Sequence, residues 1–360
     1  MPSTNLATEP SPSINRFRGK RLSFLPYLDS LAGYYNHALQ LFRHWEAMGV
    51  FVTLRPVFIK DCDESRISMD LKRALVHRDQ PQDWECVLSP ANFCPMGRRK
   101  TAIMTMYESS RWTPKQVKLL NRADALIVPC EWNRQGLRES GGIRPIHVVP
   151  LGFAEESFKP TPMDMEGPCV FGVAGRLAHG RTRKGIDVVI DSFLREFPTE
   201  KDVRLHIKSF ADVPPKFVID SRVQVRNGFL KESELADWMS GLSCFVSAAR
   251  GEAFGLLQLE SMASGRPVIA SIYGGLAEFL TPENSYAVDY VEERSQEAWC
   301  NGGSWALPDE KHLRWQMRQV YRNRQEARRK GQIAAETTKH LTWRNSALKT
   351  LEVLKELGAI

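Results

Sequence analysis

Short apolar runs alternate with amphipathic helical segments along this chain, and the alternation occurs twice. In the first half, the apolar runs lie at residues 22–27, 50–54, 84–88, 102–106, 125–128 and 146–149. In the second half, they lie at residues 169–174, 204–208, 222–226, 244–247 and 268–270. Strands that alternate with helices indicate βαβ units, in which the crossover helices make neighbouring strands parallel. The pattern therefore predicts an α/β fold.

The segment 150–167 separates the two alternations, because it is polar and contains three prolines. A chain of 360 residues is also long for one compact domain. We therefore predict two Rossmann-like domains, at residues 19–155 and 168–340. Residues 1–18, which are rich in Pro, Ser, Thr and Asn, are predicted to be a disordered tail.

The net charge of +7 is unevenly distributed, since nearly all of the excess lies within the first 160 residues. A basic half can attract anionic membrane lipid or an anionic polysaccharide, and a solubilising surface is the alternative that stays open. Nucleic acid is not expected as a partner, because no basic segment is interleaved with aromatic residues.

The sequence has no apolar run of the roughly 18–20 residues that a membrane-spanning helix needs, and no signal-peptide core. Its seven cysteines include no C-x-x-C pair, which favours free thiols in a reducing compartment. We expect a cytoplasmic protein, with peripheral association with a membrane left open.

The first chemical motif surrounds two acids, Glu252 and Glu260, that stand eight positions apart. Phe254, Gly255 and Leu256 between them predict the entry to a helix. Eight helical residues advance the chain by about 12 Å, so the two acids could contact separate parts of one extended ligand. The helix N-terminus between them suits a phosphate group. The spacing therefore favours a nucleotide sugar as ligand.

The second motif is a basic loop after the apolar run at 169–174. It contains Arg176, Arg181, Arg183 and Lys184, and a helix is predicted from Ile186. Ligands of open α/β sheets bind beyond the carboxyl ends of the strands, where this loop lies. Arginine and lysine side chains suit phosphate oxygens. A solvated basic loop is the alternative.

Together these motifs resemble the E-x7-E and G-R…R-K-G elements of retaining glycosyltransferase family 4, also called glycosyl transferases group 1. The resemblance implies a GT-B fold, in which residues 341–360 form a helix that crosses back to the N-terminal domain. It also implies that Arg176 and Lys184 hold the donor diphosphate. Because this loop is slightly longer than usual, it stays open which of Arg181, Arg183 and Lys184 reaches the phosphate.

The same resemblance implies roles for other residues. Glu252 would bind the donor hexose and Glu260 the ribose, and the turn at residues 254–256 would contact the donor. Gly33 lies in a segment similar to the family's glycine loop near the phosphate. Many members place a histidine near the reacting carbon, where this chain offers Glu108. Glu108 could orient the acceptor, accept its proton, or cap the next segment.

The resemblance implies a retaining hexosyltransferase of polysaccharide biosynthesis. Its donor would be a UDP- or GDP-hexose and its acceptor a glycan or a lipid-linked molecule, with no metal or other cofactor. Asp61 and Asp63 form a D-x-D pattern, which we interpret as a surface loop rather than a metal site. A non-catalytic nucleotide-sugar-binding module and a GT-B nucleotide-sugar epimerase are the alternative functions.

Overall fold

The computed structural model describes residues 16–29, 33–60, 83–94, 99–175, 183–209, 213–214, 220–295, 297, 300 and 302–360. These residues form two parallel β-sheets with helices packed around them. Of the predicted disordered tail at 1–18, only residues 16–18 are described, and Phe17 is fully buried in the core of the first domain.

The first sheet has seven parallel strands, of which six form the order β2-β1-β4-β5-β6-β7, while β3 pairs with β1 beyond the end of β2. Its central strands are buried along their whole length, as expected when helices cover both faces of a parallel sheet. The strands are β1 (Arg21–Asp29), β2 (Phe51–Leu54), β3 (Phe58–Lys60), β4 (Trp84–Leu88), β5 (Lys100–Met104), β6 (Ala125–Val128) and β7 (Ile146–Val148). The helices are α1 (Gly33–Ala47), α2 (Pro114–Leu120) and α3 (Glu131–Glu139), with a 3₁₀ turn at Ala91–Phe93.

The second sheet has six parallel strands in the order β10-β9-β8-β11-β12-β13. They are β8 (Cys169–Gly175), β9 (Val203–Ser209), β10 (Val223–Asn227), β11 (Cys244–Val246), β12 (Val268–Ala270) and β13 (Ser285–Ala287). The helices are α4 (Ile186–Glu196), α5 (Glu232–Ser240), α6 (Leu256–Ala263), α7 (Glu310–Arg322) and α8 (Arg324–Thr338). The predicted α/β fold with two Rossmann-like sheets is confirmed.

An antiparallel hairpin follows the second sheet, and the sequence pattern does not predict it. It consists of β14 (Tyr290–Arg294) and β15 (Ser304–Pro308). Helix α7 begins directly after this hairpin, at Glu310. The reason is a helix cap, because the side chain of Asp309 accepts hydrogen bonds from the backbone N–H groups of Lys311 and His312.

The last helix, α9 (Trp343–Glu356), returns to the first domain and packs against α1. The indole N–H of Trp45 on α1 donates a hydrogen bond to the carbonyl of Ala347 at 3.0 Å. Leu351 and Leu354 are fully buried in the same core. The predicted crossover helix is therefore confirmed.

The strand order indicates where each sheet can bind a ligand. In each sheet the order reverses at one point, between β1 and β4 in the first and between β8 and β11 in the second. Ligands of open α/β sheets bind outside the carboxyl ends of strands at such points. The loops after β5, β8 and β11 carry Glu108, Lys184 and Glu252 respectively.

Candidate functional site

Glu252 lies in the loop after β11 and is buried, with 7% of its surface exposed. Its two carboxylate oxygens face two cations. Lys184 Nζ lies 2.7 Å from Oε1, and an Arg183 guanidinium nitrogen lies 3.3 Å from Oε2. Burial by itself would raise the pKa of Glu252, but Lys184 and Arg183 outweigh it and hold that pKa below its ordinary value. Glu252 is therefore a buried, charged carboxylate.

Arg183 connects this carboxylate to the N-terminal domain. Its guanidinium donates a hydrogen bond to the carbonyl of Gly251 at 2.6 Å and lies 3.7 Å from a carboxylate oxygen of Glu108. Burial disfavours the charged guanidinium, but Glu108 and Glu252 raise the pKa of Arg183 above its usual value. Burial is the main cause that lowers the pKa of Lys184, and Glu252 opposes it. Two acids and two bases thus form one network that joins the two domains.

The loop that carries the two cations is held against the backbone after β11. The Arg183 carbonyl accepts a hydrogen bond from the Arg250 N–H at 2.8 Å. Gly185 follows with a φ of 59°, and a Cβ atom there would lie 2.3 Å from the carbonyl oxygen of Ala248. Only glycine fits this close approach in a left-handed conformation. The sequence around Gly185 therefore fixes Lys184 beside Glu252.

Helix α6 begins next to Glu252 and presents an uncapped N-terminus. Gly255 occupies the cap position with a φ of 98°, and no side chain makes a capping hydrogen bond there. The first backbone N–H groups of a helix have no intrahelical partner, and the helix dipole adds positive potential at this end. The structure thus combines two cations and a helix N-terminus in one place, which suits a diphosphate.

The side chains of the neighbouring candidates Phe254 and Leu256 pack into the core of the second domain. The Phe254 side chain is buried against Phe279, with ring centroids 5.5 Å apart. Leu256 is partly buried in the same core. A hydrogen bond holds the backbone of this turn in place, since the Gly275 N–H donates to the Glu252 carbonyl at 2.8 Å.

Glu260 lies one turn along α6 and is buried, with 5% of its surface exposed. Burial and the nearby Glu232 raise the pKa of Glu260 to about 8, and Lys208 partly offsets this. Lys208 is buried at the end of β9, and burial lowers its pKa to about 8. Glu232 accepts hydrogen bonds at 2.7 Å from Gln40 on α1 and from Ser157. The motif does not predict Lys208 or Glu232, because they come from distant parts of the chain.

Glu108 is held in place by the β14–β15 hairpin. The indole N–H of Trp305 donates a hydrogen bond to the Glu108 carbonyl at 2.8 Å, and the Ser304 N–H donates to the Ser110 hydroxyl at 2.8 Å. A Cβ atom at Gly251 would lie 2.2 Å from the Glu108 carbonyl oxygen. The sequence offers no signal for these contacts, because the hairpin itself is not predicted.

Some of the remaining predicted positions lie within the described residues, and others lie outside them. Gly33 is the first residue of α1, and a Cβ atom there would meet nothing within 4 Å. Arg176 and Arg181 lie outside the described residues, as do Asp61 and Asp63. In the ranges that are described, no three His, Cys, Asp or Glu side chains are grouped so as to hold a metal ion. No helix in those ranges is both long and apolar enough to cross a membrane.

Comparisons with known proteins show which sequences the second half of the chain resembles. A family model described as glycosyl transferases group 1 matches residues 168–302. Mannosylfructose-phosphate synthase of Agrobacterium fabrum is 30% identical over 152 residues, which cover 36% of this chain and 33% of that protein. The lipopolysaccharide core biosynthesis mannosyltransferase LpsB of Rhizobium meliloti is 32% identical over 120 residues, covering 31% and 33%. The matches thus span about a third of each relative's length.

Solved structures match almost the whole chain. Sucrose-phosphate synthase from Thermosynechococcus elongatus superposes with a TM-score of 0.72 at 17% identity, covering 94% of this chain and 99% of that one. HepE of Anabaena, solved in complex with UDP and glucose, superposes with a TM-score of 0.67 at 14% identity, covering 94% and 100%. At these identities the likeness shows the fold, which is GT-B. The fold of this chain is therefore GT-B, and its residues 168–302 match the family model of glycosyl transferases group 1.

Proposed function

We propose that the protein is a retaining glycosyltransferase. It moves a hexose from a UDP- or GDP-hexose to a glycan or lipid-linked acceptor, without a metal ion. The observation that carries this proposal is the position of Glu252. It lies between Lys184 and Arg183 at the uncapped N-terminus of α6, and Arg183 connects it to Glu108 of the other domain.

Each part of the donor binds the region of this site that matches its chemistry. The diphosphate takes the positive end, formed by Lys184, Arg183 and the start of α6. Glu252 binds hydroxyls of the hexose, and Glu260 binds the ribose. With a pKa of about 8, Glu260 is largely protonated at neutral pH, so its carboxyl group can both donate and accept hydrogen bonds with ribose hydroxyls. We assign Arg176 to the diphosphate from the family resemblance alone.

The reaction needs stabilisation of a departing diphosphate more than it needs a protein nucleophile. Fixed positive charges at the leaving group lower the barrier, because they require no reorganisation during the reaction. The bond between the anomeric carbon and the phosphate oxygen breaks, and a bond to the acceptor oxygen forms on the same face. The acceptor proton passes to the departing phosphate. A carboxylate oxygen of Glu108 lies 3.7 Å from Arg183, and we assign Glu108 to orienting the acceptor hydroxyl.

The positive charge that many transferases obtain from a divalent metal is supplied here by side chains. Lys184 and Arg183 lie within 3.3 Å of the same carboxylate, so two cations are already concentrated where the diphosphate would bind. We therefore propose that catalysis continues when divalent metals are removed by EDTA.

The acceptor would lie on the N-terminal domain, next to an aromatic surface. Tyr27 contacts Tyr34 and Phe93, with ring centroids 6.2 Å and 5.6 Å apart, and Phe93 is 51% exposed. Such a surface suits the apolar face of a sugar ring. Two relatives are named lipopolysaccharide core mannosyltransferases, which supports a hexose such as mannose and a lipid-linked glycan acceptor. Peripheral contact with a membrane on the cytoplasmic side fits such an acceptor.

The test is an assay of donor turnover with UDP- and GDP-linked glucose, galactose and mannose, each with a lipid-linked or free oligosaccharide. Release of nucleoside diphosphate and the anomeric configuration of the product, measured by NMR, are compared with and without EDTA. We expect a product with the configuration of the donor and no effect of EDTA. An inverted product would refute retention. Tight donor binding without turnover would favour the binding module, and a changed donor sugar would favour the epimerase.

A further inference from the structure

Both carboxylate oxygens of Glu252 have a cationic partner within the protein. Lys184 lies against one carboxylate oxygen and Arg183 against the other. In the proposed function these same groups have other partners, because the cations hold the diphosphate and Glu252 holds the hexose. These ion pairs must therefore be rearranged when the donor binds.

We propose that Lys184 and Arg183 turn from Glu252 to the diphosphate when the donor binds, so that Glu252 needs the hexose hydroxyls as replacement partners. The protein thereby discriminates the intact donor from the free nucleoside diphosphate. This inference rests on the proposed function and assigns Arg183 to positioning Glu252. It also gives a reason why the product, which lacks the hexose, leaves the site.

The cost of binding the nucleoside diphosphate alone falls on Glu252. A buried carboxylate that loses its cations is destabilised and takes up a proton. Glu260 gives the internal comparison, because it is buried to a similar degree, burial is the main cause acting on its pKa, and that pKa is raised to about 8. Glu252 should behave in a similar way once its two cations turn towards phosphate.

Few other charged groups face Glu252 in the described part of the chain. Lys184 and Arg183 come from the loop before α4, and Glu108 comes from the loop after β5 and acts through Arg183. The Cys300 thiol also faces Arg183, and burial raises its pKa, so it is neutral near pH 7. Phosphate would also raise the pKa of Lys184, so the experiment must separate the two groups.

Calorimetric titration separates them by comparing wild type with Glu252→Gln. Free UDP and GDP, and the corresponding donor hexoses, are titrated at pH 7 in PIPES and in Tris, whose ionisation enthalpies differ. The difference in heat gives the number of protons taken up on binding. A contribution from the nucleotide itself is common to both proteins and cancels. Removing Glu252 lowers the pKa of Lys184 further, so Lys184 can only add protons to the variant, and an excess in the wild type comes from Glu252.

We expect the free diphosphate to bring most of one additional proton into the wild type compared with Glu252→Gln, and the intact donor to bring none. The preference for intact donor over free diphosphate should fall by about tenfold in Glu252→Gln, the equivalent of about 1.4 kcal/mol. Glu196→Gln is the matched control. Glu196 pairs with Arg318 at 2.7 Å at the far end of α4, and its replacement should leave both quantities unchanged.

The outcomes separate this inference from the function on which it rests. If no nucleotide binds, the proposed function itself fails. If nucleotides bind, but wild type and Glu252→Gln take up the same number of protons and keep the same preference, the partner exchange is wrong and the donor site stands.

Discussion

Glu252 and Glu260 belong to one motif, lie eight positions apart and are both buried, yet the structure gives them opposite ionisation behaviour. Lys184 and Arg183 keep the pKa of Glu252 below its ordinary value. Burial and Glu232 raise the pKa of Glu260 to about 8. Identical side chains in one short segment therefore differ because of residues that other parts of the chain bring to them.

The difference matches the two ends of the proposed ligand. The hexose–diphosphate end combines charges of both signs that can be rearranged, whereas at the ribose end the Glu260 carboxyl group is largely protonated near pH 7. A buried charge without partners is costly, whereas a protonated carboxyl group is a good partner for hydroxyls. The site thus separates an ionic region around Glu252 from a hydrogen-bonding carboxyl group at Glu260, one turn into α6.

The largest effect is expected from Lys184→Met, which removes a cation from the ionic region alone. Turnover should fall by roughly two to three orders of magnitude, as for the loss of one fixed group that stabilises a leaving charge. Stability should fall by about 3 kcal/mol, because Glu252 loses its closer partner while it stays buried. Steady-state kinetics and chemical denaturation measure the two effects.

A double variant sharpens this prediction. In Lys184→Met/Glu252→Gln the stranded charge is gone, so the stability should largely return while the turnover stays low. If the single variant were as stable and as active as wild type, the ionic region would have no role in either.

The second effect compares the two acids directly. At pH 7, Glu252→Gln should lower kcat/KM by roughly 10- to 100-fold, because hydrogen bonds to a charged group are lost. Glu260→Gln should lower it only a few-fold, because Glu260 is already largely protonated and glutamine is close to it in charge and shape. Equal losses in the two variants, measured with the same donor, would contradict the difference between the two regions.

A smaller effect is expected from Gly251→Ala, which acts on the contact between domains beside Glu252. The added Cβ would lie 2.2 Å from the Glu108 carbonyl oxygen and 2.9 Å from the Trp305 ring. We expect lower turnover and a melting temperature lower by several degrees, as for an overpacked site costing about 1–3 kcal/mol. Gly241→Ala is the matched control, because the nearest atom to its added Cβ would be at an ordinary contact distance of 3.6 Å. A variant at Gly251 that behaves like this control would show that the contact is not tight.

The last effect is a pH dependence of stability that arises from Glu260. Its folded pKa of about 8 lies above the ordinary value of 4.5, so between these values the folded state holds one proton more than the unfolded chain. Stability therefore falls as the pH rises through this window, by up to about 1.4 kcal/mol per pH unit. Denaturation of wild type and Glu260→Gln from pH 5 to 7 measures this, where Lys208, with a pKa of about 8, is still largely protonated.

In that comparison, Glu260→Gln should become progressively more stable relative to wild type as the pH rises. Parallel curves for the two proteins would mean that Glu260 is ionised in the folded state like Glu252, and the contrast between the two acids would be lost.

The sequence predicts those features that depend on neighbouring residues. Helix α6 after Gly255 and the strands of both sheets follow from local periodicity and turn residues, and the return of α9 follows from the family resemblance. The hairpin β14–β15 is not predictable in this way, because its role comes from the contact of Trp305 with Glu108, 197 positions away. Strands β3 and β13 are not predicted, because Phe-Ile-Lys and Ser-Tyr-Ala are not continuous apolar runs like those of the equally short β11 and β12.

The same distinction holds within the site. The positions of Glu252 and Glu260 and the basic loop are predicted from their spacing. The ionisation of Glu260 is not predicted, because it depends on burial and on Glu232 and Lys208, which lie outside the motif and far from each other in sequence. The bridge from Arg183 to Glu108 joins two domains, so neither segment alone contains a signal for it.

The most direct test of the donor site is the thermal stability of the wild type and of Lys184→Met with UDP, GDP and ADP, with and without Mg²⁺. A ligand that binds only the folded state stabilises it by about 2.7 kcal/mol at 100 times its dissociation constant. We predict that one of the three nucleotides raises the melting temperature of the wild type, independently of Mg²⁺, and that Lys184→Met abolishes most of the shift. No shift with any nucleotide at millimolar concentration, on the order of 100 times a typical dissociation constant, or an equal shift in Lys184→Met, would contradict the assignment.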